Sequence, residues 1–575
     1  MDTMDKNIDI PGILILTGNK IYGTYGSSKK KKYLYKFIPN NSSFPYFLVP
    51  YVIPSSFSKQ YTNKYTVIRF KEWFEQNQTN KRPIGQLVVN IGDVNVTENT
   101  YEYLLYCNNV KHSSKSIQLA LKDCLRQKSS AEWIDTVIER YVMEDRRPTA
   151  TLMNDGFKYD IYSMDPIGSK DIDDAFSVHK VSNTEYILSI YIANVTIWME
   201  TMGLWDRLSK RVATVYLPEE KIPMLPSAFS DDLCSLLQNE TRFAFCMDIT
   251  IKTKRDEKDY IDISDVSYKN VIVKVTDNVD YGDPRFLSSD TYKTIFKLTS
   301  LLNKDERNGI RYMKKGIKDS HNVIQYLMLF MNCRLASWCR DQRIGIYRVL
   351  PNTICEKELD DVDQAIKPFL EIWNNVSGLY TTQKNMTSSH NELYKLKDLS
   401  HHRIGTNSYM HTTSPIRRLV DLLNMSIIQK RMGMLEVRCD KNVSNTHSVS
   451  LLESFYIDHT TREELNYINK QTRHIRHVQN ETRLIQMVTS DPEILKHVHI
   501  GYIVDMAINK DTMRYTVYIE GLRLLKQMDI HCMDEGYGSD PLVLYKSYSF
   551  KLSVFKDSHF IKRKIRINLH KEKFT

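Results

Sequence analysis

The sequence predicts an α+β core flanked by two small all-β barrels, in a chain of 575 residues. Three features predict it. Short β-rich runs broken by Gly, Pro and Asn fill residues 10 to 100 and recur after residue 491. Long helical stretches fall at 291 to 345 and 415 to 490, and strands and helices never alternate with βαβ regularity.

In chain order, residues 1–102 hold the runs GILILTGNKIYGTYG, FPYFLVPYVIP, KYTVIRF and PIGQLVVNIGDV, whose short lengths and turn residues fit a barrel of the oligonucleotide-binding type. The run Lys29 to Lys32 falls between two such strands, where a solvated hairpin tip and a polyanion-tracking loop fit equally. Residues 103–149 turn helical: SIQLALKDCLRQ and SAEWIDTVIERYV carry apolar residues at three- and four-residue spacing, as a linker region would. Residues 150–490 form the large α+β unit. Residues 491–575 return to alternating strands and end in Lys562, Arg563, Lys564 and Arg566, either a phosphate-facing strand or an edge defended by charge.

Lysine and arginine number 79 against 69 acidic residues, a net +10 that favours polyanionic partners. The 35 tyrosines add rings suited to stacking on unpaired bases, although most are expected to be packing residues. Nine cysteines without a C-x-x-C pair exclude a disulfide scaffold and a structural zinc site. The acidic, polar MDTMDKNIDIPG is unlike a secretory signal, and no apolar run approaches a membrane span. An intracellular, cytoplasmic, monomeric protein is expected.

The stretch DPIGSKDIDDAFSV, residues 165 to 178, crowds Asp165, Asp171, Asp173 and Asp174 together. Such carboxylates repel one another, so they imply either a solvated acidic turn or a multivalent cation with oxygen ligands. Apolar Ile172, Ala175 and Phe176 between the acids argue against full exposure. In an extended segment Asp171 and Asp173 share a face, and Pro166 with Gly168 permits a turn that returns Asp165 to them. A calcium loop of the EF-hand type fails, because counting from Asp171 its glycine position holds Phe176 and its twelfth holds Ser182. Carboxylate-bound magnesium in a basic protein points to phosphoryl chemistry.

Positive groups for a phosphate occur in SYMHTTSPIRRLVDLL, residues 408 to 423. Ser414 as N-cap and Pro415 at the first helical position would put Arg417 and Arg418 in the first turn, where a helix favours anions. Alternatively one of them pairs with Asp421, three or four residues on.

At these two motifs the sequence resembles the RNase II, or RNB, family of processive 3′→5′ exoribonucleases. Its D-x5-D-x-D-D pattern is met by Asp165, Asp171, Asp173 and Asp174, and YIANVTIWME, TVYLPEEKIPMLPSAFSDDLCSLLQNETR, GIYRVLPN and HTTSPIRR look like further parts of the same catalytic domain. The resemblance covers about residues 150 to 490, and the flanks look like the family's cold-shock and C-terminal RNA-binding barrels.

The resemblance implies that the four aspartates hold Mg²⁺, for which Mn²⁺ can substitute, together with the attacking water. Asp173 is taken as the least replaceable acid, and Arg417 and Arg418 as the clamp on the scissile phosphate. Tyr216 in VYLP looks like the aromatic that packs against the 3′-terminal base, and Tyr347 in GIYR is a second stacking candidate. Single-stranded RNA is the implied partner and nucleoside 5′-monophosphates the implied product. A regulatory RNA-binding protein with a degenerate nuclease core is the alternative. Asn194 departs from the family's IADV, Thr412 from HFTSP, and Met425 with Ser426 from a His-Arg pair.

Overall fold

The computed structural model describes residues 5–26, 31–54, 61–75, 81–148, 159–254, 260–305, 313, 316–350, 378–386, 399–401, 404–438, 446–509, 512–531, 542–555 and 564–570. Lys29, Lys30, Lys562 and Arg563 lie outside these.

The first sheet holds β1 (Ile10–Leu14), β2 (Thr24–Tyr25), β3 (Lys32–Pro39), β4 (Phe47–Tyr51), β5 (Lys64–Glu75) and β6 (Lys81–Asp93), in the order β1-β5-β6-β4-β3-β2. β1 also pairs with β3, so the ladder runs in a ring from β1 through β5, β6, β4 and β3 back to β1. Gly12, at that closure, is required by space: a Cβ there would meet the Phe37 ring and the Ile38 carbonyl under 3 Å.

The helical stretch begins at Thr97, six residues before the expected 103, and comprises Thr97–Cys107, Lys115–Gln127 and Ser130–Arg140. The last opens with a capping box between Ser129 and Glu132. Glu144–Asp145 (β7) then joins the central sheet, completed by β8 (Tyr162–Met164), β9 (Asp174–Lys180), β10 (Glu185–Ala193), β13 (Thr241–Thr253), β14 (Ile261–Lys274) and β15 (Asp277–Val279), in the order β15-β8-β9-β10-β13-β14-β7. A separate hairpin pairs β11 (Val215–Tyr216) with β12 (Lys221–Ile222).

Side chains alternate across a strand, and β10 shows both faces of this sheet covered. Leu188, Ile190 and Ile192 enter one core with the helices Asp290–Lys304 and Ser320–Asp341, while Tyr191 and Ala193 enter another with Trp198, Ile416 and Leu423. Burial on both faces explains why ILSIYIA reads as a nearly continuous apolar run. A pair of short strands, β16 (Tyr347–Val349) and β17 (Leu379–Thr381), packs against the 29-residue helix Arg462–Ser490.

The last sheet contains β18 (Val498–Asn509), β19 (Thr512–Ile519), β20 (Leu524–His531), β21 (Ser547–Phe555) and β22 (Lys564–Leu569), in the order β20-β19-β18-β21-β22. Among the described residues no helix is long and apolar enough to cross a membrane.

Candidate active site

Local bonds shape the acidic segment. β8 ends at Met164, Asp165 N–H donates to the Val279 carbonyl at 3.0 Å, and the chain turns at Ile167–Gly168, with Ser169 N–H on the Pro166 carbonyl at 3.1 Å. Gly168 has φ +84°, the left-handed region that a residue with a Cβ disfavours. Ser235 then clasps the strand-free stretch: its Oγ accepts from Ile172 N–H at 3.0 Å and donates to the Lys170 carbonyl at 2.7 Å. β9 starts only at Asp174, so strand alternation does not place Asp171 and Asp173, and they meet different partners.

Asp173 is buried, and its two oxygens reach the second motif. Oδ1 accepts the Ile416 N–H and Oδ2 the Arg417 Nε–H, both at 2.9 Å, across 244 residues of sequence in the second case. The expected helix start is corrected here. Ser414 to Arg417 form a turn and the helix runs Leu419–Arg431, with extended Arg418 as its cap residue. The cause is tertiary: Thr214 N–H donates to the Arg417 carbonyl and Leu419 N–H to the Val212 carbonyl, both at 2.9 Å, which draws this backbone straight beside residues 212–214.

The two arginines separate. Arg417 keeps 45% of its side chain exposed while bonding Asp173 and Ser414 Oγ, so it can still donate outward. Arg418 instead pairs with the fully buried Asp421 at 2.8 Å, and the same carboxylate oxygen accepts Ser414 N–H at 2.9 Å. Arg417 is thus ion-paired with the acidic segment, whereas Arg418, 31% exposed, holds the turn to its own helix.

Tyr216 stands at the acids, 40% exposed, donating its hydroxyl to Asp171 Oδ2 at 3.0 Å. Tyr347 does not: it is wholly buried in β16 and donates to the Ile344 carbonyl at 2.7 Å, which leaves no ring face for a base and removes it from the stacking candidates. Sequence reasoning missed Lys221, whose ammonium lies 3.1 Å from Asp171 Oδ1 and 2.8 Å from Asp231 Oδ1. Its signal was the proline-and-glutamate turn in VYLPEEKIP, a hairpin that sets Lys221 opposite Tyr216.

The departures from the family pattern are internal. Asn194 caps the helix Val195–Thr201 through Ile197 N–H and donates to Asn270 Oδ1 at 2.9 Å, a bond an aspartate could not give. Thr412 bonds Asn332 through both N–H and hydroxyl at 2.8 Å, and Met425 and Ser426 are buried.

Burial pushes three carboxyls up: Asp165 to about 6, Asp173 to about 7 against the pull of Arg417, and Asp174 to about 8 with further repulsion from Asp165 and Asp173. Asp165 Oδ2 is buried without a hydrogen-bond partner. Among the described residues no three acid, His or Cys side chains are already gathered into a metal cage, and Asp171 is held by Lys221 and Tyr216. The donor chemistry nonetheless fits a hard divalent cation: crowded carboxylate oxygens, one of them orphaned, on groups that burial makes costly to ionise alone.

Mixed sheet, acidic connection and arginine-bearing turn together define an α+β domain in which a carboxylate of one motif is paired with a guanidinium of the other. Residues 154–287 and 282–432 match the RNB domain, so this stretch of the chain carries an RNB domain. The probable exosome complex exonuclease RRP44 of Caenorhabditis elegans is 24% identical over 430 residues, covering 64% of this chain and 43% of that protein. The chain thus spans less than half the length of the curated relatives it matches first. Mycoplasma genitalium RNase R, solved with ribose methylated single-stranded RNA, shares the fold at TM-score 0.64 and 16% identity, covering 98% of this chain and 90% of that one. Yeast Ssd1, described as a pseudonuclease, has TM-score 0.53 at 12% identity, covering 96% of this chain and 67% of its own.

Proposed function

We propose that this protein is a hydrolytic 3′→5′ exoribonuclease that degrades single-stranded RNA to nucleoside 5′-monophosphates, with Mg²⁺ or Mn²⁺ held by Asp165, Asp171, Asp173 and Asp174. The observation that carries it is the Asp173–Arg417 pair, which joins the acidic and arginine motifs into one site with an outward-facing guanidinium. A bound divalent cation would supply Lewis-acid stabilisation of the phosphoryl oxygens and activation of water. Asp173 aims Arg417 at the scissile phosphate, and Arg417 offers its remaining N–H groups to the charge developing there. Tyr216 stacks on the 3′-terminal base, and the 2′-hydroxyl distinguishes RNA from DNA.

The end sheets act as oligonucleotide-binding barrels that feed the strand inward. Basic groups over rings support this: Arg82 lies 4.4 Å from the Tyr46 ring, Lys36 5.1 Å from the same ring, and Arg566 4.0 Å from Phe555. Chromatography of products from 3′-tailed and blunt RNA, with and without Mg²⁺, tests the reading. Mononucleotides with a short resistant end-product are expected from wild type and none from Asp173→Asn; internal fragments, or equal degradation by the variant, overturn it.

A second reading, an RNA-binding regulator with an inactive core, draws support from Lys221 on Asp171 and from the likeness to Ssd1. Tight RNA binding without cation-dependent release of nucleotides would favour it.

A further inference from the structure

Asp171 already carries a cation of the chain's own. Lys221 Nζ bridges Asp171 Oδ1 at 3.1 Å and Asp231 Oδ1 at 2.8 Å, while Tyr216 O–H donates to Asp171 Oδ2. Ser230 Oγ donates to Asp231 Oδ1 at 2.6 Å and fixes that second acceptor. Tyr216 and Lys221 face each other across the β11–β12 hairpin, so a single two-stranded element grips both oxygens of this aspartate. The Lys221 side chain is only 24% exposed and that of Asp171 12%, which makes the contact more than a surface pairing.

We propose that Lys221 is a positioning residue, a displaceable internal counter-ion that holds Asp171 in the cation-free protein and passes wholly to Asp231 when a divalent cation takes Asp171. This rests on the reading of the aspartates as cation-holding. An ammonium and a divalent cation on one carboxylate oxygen repel strongly at such distances in a partly buried site, so both do not stay. Displacing a partly buried ammonium is costly when it is left unpaired. Asp231, already the nearer of the two acceptors, removes that cost. The hairpin therefore sets cation affinity by competition, with Lys221 opposing binding and Asp231 permitting it.

The two halves of the device predict opposite signs. Binding of Mn²⁺ to the full-length protein without RNA is followed by the electron paramagnetic resonance of free Mn²⁺. Lys221→Met should bind Mn²⁺ on the order of tenfold tighter than wild type, and Asp231→Asn on the order of tenfold weaker, because the lysine then has only Asp171. Lys221→Arg, which keeps the charge, should stay near wild type and controls for loss of folding. Unchanged affinity in both variants, or a shift in the same direction, overturns the proposal while leaving the cation reading intact. Absence of Mn²⁺ binding in wild type and Lys221→Met alike overturns both.

Discussion

Arg418 and Asp421, three residues apart, form an ion pair at 2.8 Å around a carboxylate with no solvent exposure, while neighbouring Arg417 pairs with Asp173 and remains nearly half exposed. The two arginines of the SPIRR motif are thus set to fail differently. Arg418→Ala strands a buried carboxylate and should lower unfolding free energy by about 3 kcal/mol, the low end for a broken buried pair because the arginine itself is partly exposed. Arg417→Lys keeps a cation beside the buried Asp173 and should hold stability within about 1 kcal/mol, yet it loses the guanidinium's outward donors and should reduce RNA turnover on the order of tenfold or more. Urea unfolding alongside single-turnover degradation separates them; identical stability losses would refute the division.

The buried repulsion among the acids predicts a trade between stability and function. Asp165→Asn removes one charge from a carboxyl whose Oδ2 has no partner. It should stabilise the cation-free protein by on the order of 1 kcal/mol while abolishing the rise in melting temperature expected of wild type with Mg²⁺. Differential scanning calorimetry with and without Mg²⁺ reads both effects, and a variant still stabilised by Mg²⁺ as strongly as wild type contradicts the assignment.

Tyr216 lends itself to a two-variant test. Tyr216→Ala should weaken binding of a short oligoribonucleotide by about 1–3 kcal/mol, the value of stacking one base. Tyr216→Phe keeps the ring and drops the hydroxyl on Asp171, so it should bind RNA like wild type. Fluorescence anisotropy measures both, and equal losses would show that the hydroxyl rather than the ring matters.

Acid stability should be set by the pair that ties β7 to the central sheet. Burial raises the Asp248 carboxyl, but the bidentate Arg146 at 2.9 and 2.5 Å, with Ser189 and Lys269, outweighs it and holds the group well below the usual carboxylate range. A carboxyl depressed on folding stabilises fully above about pH 5, and that contribution fades as pH falls through its folded value. Wild type should therefore lose stability between about pH 5 and 3 more steeply than Asp248→Asn. Parallel pH dependence of the two in urea titrations would dismiss Asp248 as a source.

The sequence by itself determined the periodic and the local. Alternation in the end segments marked the strands, three- and four-residue spacing marked the helices, and D-x5-D-x-D-D with SPIRR marked two segments that the fold brings together. What only the tertiary structure decided was pairing. Nothing in the spacing says that Asp173 takes Arg417 while Arg418 turns to Asp421, that a hairpin lysine grips Asp171, or that Tyr347 is sealed in the core while Tyr216 stands open. The physical reason is that periodicity reports the face a residue shares with its near neighbours, whereas an ion pair depends on distance in space. Here that distance is set by residues 212–214, which draw the SPIRR backbone straight, and by the Ser235 clasp that stops β9 from beginning before Asp174.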